Sequence, residues 1–365
     1  MITSLRIQNF KGHIDTTVPL GRFTVLVGPN GSGKTSVLQA LHSLCELAWK
    51  GPGQVFEGEL GYADLMRRAS QGPLSIAAQG ILQNVAWKAS IDLEVPQGTV
   101  EWRPTITWRY GKQALERTVG AETSRSRAST KFAEALGGAV LYSFDARQIA
   151  AAAYSDEENP WVESDGTNTA VVLAALKLDQ DEKFERIEAE LRQIVPSVER
   201  VRVRREKVRM KDRGPGERDL DVMGHKIYLD FKGASNVPAH GASQGTLITL
   251  ALLTALCGPT HPNLLLLDDI DQALHPQAQV ELVRQLKRLL EEFKDVQIVA
   301  TTHSPYVLDE MDPADVQVFA LRDDGSVAVK RLSEHPEAAR MKGALSAGQI
   351  WSLDPEKSWV AEEKP

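Results

Sequence analysis

The chain has 365 residues, 42% of them hydrophobic and 25% charged, so it can bury one or two cores without a metal or disulfide staple. Its two cysteines, Cys45 and Cys257, lie too far apart in sequence to suggest a disulfide framework or a metal site, which points to a reducing cytoplasm. A net charge of −7 excludes a uniformly basic nucleic-acid binder but not local basic patches, and neither a signal-peptide core nor an apolar run of ~20 residues is present, so no membrane partner is expected.

In chain order, Leu5, Ile7 and Val18 alternate with polar residues and predict a β-hairpin, which leads into a buried strand over Phe23–Val27. A glycine-rich turn follows, then a helix with Val37, Leu38, Leu41 and Leu44 at helical spacing. From Leu74 to Val119 the pattern predicts an antiparallel meander, and a polar segment around Ala121–Thr130 separates it from a strand at Ala139–Phe144. Thr167–Val195 reads as helical, with strands at Val201–Val203 and Ile227–Phe231 beyond it. The last third alternates: strand Leu264–Leu267, amphipathic helix Gln279–Phe293, strand Val296–Ala300, then strands at Val316–Ala320 and Val327–Val329. Such alternation predicts a mainly parallel, covered sheet.

Gly28-Pro29-Asn30-Gly31-Ser32-Gly33-Lys34-Thr35 fits G-x-x-x-x-G-K-[ST], between a strand and a helix as a phosphate loop requires. The glycines let backbone N–H groups close around a phosphate, and the helix start adds its positive dipole end. Gly28, Asn30, Gly31, Ser32, Gly33, Lys34, Thr35 and Ser36 are the expected nucleotide contacts. Lys34 is expected to bridge the β- and γ-phosphates and Thr35 to ligate Mg²⁺. Downstream, Leu264–Leu267 ends in Asp268-Asp269. Strand ends are where open α/β sheets place their chemistry, so Asp268 is the expected second Mg²⁺ ligand and Asp269 the group facing the attacking water. Taken alone, paired aspartates also open turns; the phosphate loop tips the reading.

At this point the chain resembles the ABC ATPases. Ala242-Ser243-Gln244-Gly245-Thr246 looks like their signature loop, Ala273-Leu274-His275-Pro276 like their D-loop, and Thr301-Thr302-His303-Ser304-Pro305 like their switch-histidine loop. Separating Lys34 from Ser243 are 209 residues. A long insertion of that kind is the habit of the RecF/SMC/OLD group and not of transporter subunits; Asp165-Gly166-Thr167-Asn168 resembles a RecF- and OLD-like segment. The fold implied is α/β: an ABC-ATPase P-loop fold with a mainly parallel core sheet, an antiparallel β subdomain and a helical insertion. Its expected parts are an N-terminal lobe (1–120), an insertion with the Q-loop region (121–215) and a C-terminal lobe (216–365).

The resemblance implies ATP and Mg²⁺ as cofactors and a head-to-tail homodimer. Lys34 and Thr35 of one subunit would bind a nucleotide that Ser243 and Gly245 of the other cover, with His303 sensing the γ-phosphate. Gln148 is the natural Q-loop candidate, although Asp145 sits nearer the strand end; Lys11 is either a nucleotide contact or a surface lysine. The family usually carries glutamate where Asp269 stands. A carboxylate drawn back by ~1.5 Å holds its water poorly, so slow turnover is expected, with Asp271 as a substitute base if Asp269 fails.

OLD-type proteins carry a nuclease domain after the switch histidine. Here 62 residues follow His303, and Glu310, Asp312, Asp315, Asp323 and Asp324 show turn spacing, so no nuclease centre is expected and any effector is a separate protein. The expected role is a switch or scaffold in DNA maintenance or anti-phage defence. Candidate DNA or RNA contacts are Arg67, Arg68 and the run Arg200, Arg202, Arg204, Arg205, Lys207 and Arg209, which is otherwise a solvated strand face; Arg125, Arg127 and Lys131 form a second basic patch. Two further readings stand beside it: an ATP-cemented assembly module with negligible catalysis, and a transporter ATPase subunit.

Overall fold

Strand, glycine turn and helix follow one another as the hydrophobic pattern demands in the computed structural model, which describes residues 1–56, 62–67, 72–94, 103–118, 127–211, 219–258, 261–340 and 344–361. In chain order the elements are β1 (Ile2–Phe10), β2 (His13–Pro19), β3 (Phe23–Val27), α1 (Lys34–Glu46), α2 (Pro52–Phe56), α3 (Tyr62–Leu65), β4 (Leu74–Leu82), β5 (Val85–Glu94), β6 (Arg103–Tyr110), β7 (Gln113–Thr118), α4 (Arg127–Leu136) and β8 (Ala139–Tyr142). Next come α5 (Ala146–Ala150), α6 (Thr169–Asp179), α7 (Asp181–Ile194), β9 (Val198–Lys211), β10 (Asp219–Phe231), β11 (Ala234–Pro238) and α8 (Gln244–Cys257). Last are β12 (Leu264–Leu267), α9 (Pro276–Glu292), β13 (Gln297–Thr302), α10 (Pro305–Asp309), β14 (Val316–Leu321), β15 (Val327–Arg331), α11 (Pro336–Arg340), α12 (Ala347–Trp351) and α13 (Glu356–Trp359).

These elements form two compact units. The first comprises Met1–Leu141, Asn263–Ile270 and Phe293–Pro365. One of its sheets runs β15-β14-β3-β13-β12-β8, with β12, β13, β3 and β14 mutually parallel and β15 antiparallel. Both β3 and β13 are buried along their whole length, which is why β3, and β13 after Gln297, read as unbroken apolar or β-branched runs. The other sheet, β2-β1-β4-β5-β6-β7, is antiparallel throughout. The opening hairpin and the meander, read separately in the sequence, are therefore one sheet, joined where β1 pairs with β4. Helix α1 packs on strands of both sheets and buries Val37, Leu38, Leu41 and Leu44 in one core with Ile76, Trp87, Leu266, Val299 and Phe319. Full burial of each such side chain stabilises the unit by about 1.5–3 kcal/mol relative to exposure.

The second unit comprises Tyr142–Pro262 and Asp271–Glu292. Its helix α8 buries nearly every side chain from Gly245 to Cys257, which accounts for a sequence that is apolar all round. The sheet β11-β10-β9 is antiparallel.

Four sequence expectations are corrected in detail. The helical stretch from 167 to 195 is two helices, broken at Gln180 (φ −144°, ψ 58°), with Asp181 and Glu182 in the first turn of α7 where the dipole favours acids. The polar segment around 121–130 becomes helix α4 from Arg127; 121–126 lie outside the described residues. The short strands at Val201–Val203 and Ile227–Phe231 are the base of much longer strands, because β9 beyond Val203 carries charges on both faces and loses the apolar alternation. The tail after β15 contains the short helices α11, α12 and α13.

Candidate functional site

The phosphate loop leaves β3 at Gly28 and enters α1 at Lys34, and its glycines Gly28, Gly31 and Gly33 all have positive φ (147°, 76° and 94°). Gly33 is required for a second reason. A Cβ there would lie 2.7 Å from Nε2 of His13 and 3.0 Å from Cγ2 of Val327, so any side chain would push the loop off the strands beneath it. His13, at the start of β2, is fully buried and its Nε2 lies 3.2 Å from the Gly33 carbonyl oxygen. Burial pushes its pKa down to about 4, so the ring is neutral at pH 7 and Nε2–H donates to Gly33.

Three features suit this loop to a polyphosphate with a divalent ion. The Ser32 hydroxyl is buried with no hydrogen-bond partner among the described residues. Lys34 is buried, and its ammonium donates to the carbonyls of Gly28 (2.8 Å) and Pro29 (2.9 Å), which holds it across the loop. Thr35 is exposed at the start of α1, and its hydroxyl lies 3.1 Å from Oδ1 of Asp268. Hydroxyl and carboxylate side by side are the hard oxygen ligands Mg²⁺ takes. Asn30 and Ser36 flank the loop, the former exposed and the latter half-buried.

Asp268 and Asp269 follow β12 directly. The buried Thr301 on β13 donates to Oδ1 of Asp268 (2.7 Å) and accepts from the backbone N–H of Asp269 (2.8 Å). One hydroxyl thus orients the metal-ligand candidate and pins the backbone of the next residue. Asp269 itself is exposed at φ 50°, a left-handed conformation that aspartate tolerates better than most residues. His303 lies just past β13 and is exposed; Ser304 caps α10, accepting from the N–H of Tyr306. The first unit therefore gathers the phosphate loop, both aspartates and the strand that ends at His303. Thr301 and His13 were not singled out by sequence reasoning. Thr301 stood inside the Thr-Thr-His-Ser-Pro run without a role, and His13 had only its place in an alternating strand as a signal.

The remaining candidates are placed as follows. Lys11 (φ 49°) donates to Oε1 of Gln39 on α1 at 2.5 Å, and burial lowers its pKa. Arg67 donates to the Gly12 carbonyl, and Arg68 lies outside the described residues, as does Arg125. Lys131 pairs with Glu134 at 2.6 Å. Of the acids after His303, Asp312 caps a 3-10 turn, Asp324 accepts from Ser326 and Asp323 pairs with Lys357. In the second unit, Asp145 caps α5 by accepting from Arg147, and Gln148 is exposed on that helix. Ser243 caps α8, accepting from the N–H of Thr246. Gly245 follows it, where a Cβ would meet the Ala273 carbonyl at 2.4 Å; the signature-like and D-loop-like segments thus touch within this unit. The backbone carbonyl of Asp271 accepts from the N–H of Leu274, closing the D-loop-like turn.

Known proteins resemble this chain in sequence and in fold. The OLD nuclease of Thermus scotoductus is 41% identical over 49 residues, 13% of this chain and 9% of that protein. The Septu protein PtuA of Bacillus thuringiensis is 32% identical over 72 residues, 20% of this chain and 17% of that protein. The matches thus span less than a fifth of either relative's length. Among solved structures, an Smc head bound to the C-terminal winged-helix domain of ScpA superposes with a TM-score of 0.58 at 16% identity, covering 93% of this chain and 99% of that one. An Smc head with an extended coiled coil, bound to the C-terminal domain of ScpA derived from Pyrococcus furiosus, gives 0.56 at 14% identity over 93% and 98%. These two establish the fold. Residues 23–309, from β3 through α10, match the family described as "AAA domain, putative AbiEii toxin, Type IV TA system". The chain belongs to that family of AAA domains.

Proposed function

We propose that the chain binds ATP with Mg²⁺, dimerises head-to-tail around it and hydrolyses it slowly, as a switch for a separate effector in DNA maintenance or anti-phage defence. The observation that supports this reading is the linked triad of Thr35, Asp268 and Thr301, which brings together two oxygens that would suit a metal beside the phosphate loop. Thr35 and Asp268 would hold the metal, Lys34 the phosphates, and the metal would supply charge neutralisation at the γ-phosphate. Asp269 would orient water, its backbone N–H held by the Thr301 hydroxyl. Ser243 and Gly245 of a second subunit would close the site, with His303 as the γ-phosphate sensor and Gln148 and Lys11 as auxiliary contacts. The Smc heads, each in complex with a domain of ScpA, support a separate partner, and the match to a nuclease supports work on nucleic acid.

The reading is tested by phosphate release from wild type and Asp269→Asn. Turnover below ~10 s⁻¹ is expected for wild type, with a further loss of about 10²-fold or more in the variant. Release untouched by the substitution would show that Asp269 is not the base. The shorter side chain at Asp269 also favours a second reading, an assembly cemented by ATP with negligible catalysis; wild type that binds ATP and releases no phosphate would establish it.

A further inference from the structure

Strands β9 and β10 pair without a break from Arg200↔Asp230 to Lys211↔Asp219, a ribbon of roughly 37 Å at about 3.4 Å per residue. Its base is anchored: Val201, Ile227 and Leu229 are buried. Its outer part is different. β11 pairs with β10 no further out than Tyr228, and beyond that point the described residues add only an isolated bridge between Ala153 and His225. The other side of β9 is the edge of the sheet.

The basic residues lie on that edge strand, and alternation divides them between the ribbon's two faces. Arg205, Lys207 and Arg209 share one face; Arg200 and Arg204 share the other, and all five are exposed. The ribbon's acids are largely engaged by other groups. Asp230 pairs with Arg202 at 2.6 Å, and Glu206 pairs with Lys226 at 3.2 Å and accepts from the Tyr228 hydroxyl at 3.1 Å. Asp221 lies 3.9 Å from Arg209, and the exposed Glu199 sits at the base. Arg200, Arg204, Arg205 and Lys207 have no ion pair among the described residues, and the Arg204 guanidinium lies over the Tyr228 ring at 5.1 Å. A chain of net charge −7 thus gathers exposed basic residues without an ion pair on one sheet edge.

We propose that this ribbon enters the major groove of duplex DNA edge-first, with β9 leading and its two basic faces turned to the two phosphate walls. The B-form major groove, about 12 Å wide and 8.5 Å deep, admits a two-stranded ribbon. Residues two apart on a strand repeat at ~6.8 Å, so Arg205, Lys207 and Arg209 set three cations in a row along one phosphate wall. The A-form major groove is too deep and narrow for this fit, which sets DNA apart from RNA duplexes. The inference rests on the reading of the chain as a nucleic-acid-linked ATPase and names the partner and its surface.

The test is fluorescence anisotropy on the full chain, with a labelled DNA duplex of about 20 base pairs, roughly twice the length the ribbon spans at 3.4 Å per pair. Wild type is compared with the triple variant Arg204→Gln/Arg205→Gln/Lys207→Gln and with Arg340→Gln as an exposed control. In the triple variant, affinity should fall about tenfold or more at low salt and the log–log salt slope should flatten by about 2–3, while the control matches wild type. An RNA duplex of the same sequence and poly-glutamate should bind wild type at least about tenfold more weakly, since neither offers the B-form groove. Equal binding of RNA, or tighter binding of poly-glutamate, would overturn the assignment, the latter in favour of an acidic protein partner. A triple variant that aggregates yet binds DNA as before would assign the charges to edge protection and overturn it too. Phosphate release, measured on the same samples without DNA, should not change in the variant. Absent release in wild type with ribbon-dependent DNA binding would sink the ATPase reading and leave the ribbon standing.

Discussion

Thr301 and His13 show how single side chains set this site from beneath. Thr301 donates its one proton to Asp268 and accepts from the Asp269 backbone, so one hydroxyl holds the first carboxylate and the main chain of the second acid. His13 supports the phosphate loop only as a neutral ring. That has a consequence for stability against pH. As pH falls through about 6.5, the unfolded chain takes up a proton that the folded chain refuses until about pH 4, so the folded state loses stability across that window. The loss attributable to this residue should reach about 3 kcal/mol, at about 1.4 kcal/mol per pH unit. Urea unfolding of wild type and His13→Gln between pH 7.5 and 4 checks it. The two curves should converge as pH drops; parallel curves would mean that the ring is not held neutral in the fold.

At the scale of elements, much of the first unit was legible, because its strands are either strictly alternating or wholly apolar and its main helix carries a clean buried stripe. What was not legible is what joins them. Gln297, at the start of β13, looks like a polar residue opening a strand. In the fold it is buried, accepts from the N–H of Ile2 (2.9 Å) and donates to the carbonyls of Ile2 and Gly21 (2.7 Å each). It thereby ties the first strand of the antiparallel sheet to the entrance of β3, across 295 residues of chain that no local pattern can bridge. Gln297→Leu keeps the volume and strands these backbone groups, so it should cost about 2–4 kcal/mol in denaturant unfolding. A change under about 0.5 kcal/mol would mean that water or a shift of β1 replaces the bonds. The ribbon was under-read for the opposite reason: beyond Val203, β9 carries charge on both faces, and its pairing with β10 shows it as strand.

At the scale of the molecule, the motif order was readable because each chemical segment stands at the end of a strand or the start of a helix: Gly28 after β3, Asp268 after β12, His303 after β13, Ser243 before α8. The pairing of Thr35 with Asp268 and of Asp268 with Thr301 was not, since those partners are 233 and 33 residues apart. The division into two units puts the phosphate loop and both aspartates in one and the signature-like Ser243 and Gly245 in the other. If a second copy must supply those two residues to complete each site, ATP should control the assembly itself. The direct measurement is the mass of the purified protein by light scattering, with and without ATP·Mg²⁺, for wild type and Lys34→Ala. The 40.1 kDa chain is expected to double in mass with nucleotide and return on its removal, and Lys34→Ala to stay single. A mass indifferent to ATP, or doubling in Lys34→Ala, would contradict a switch built on nucleotide-closed dimers.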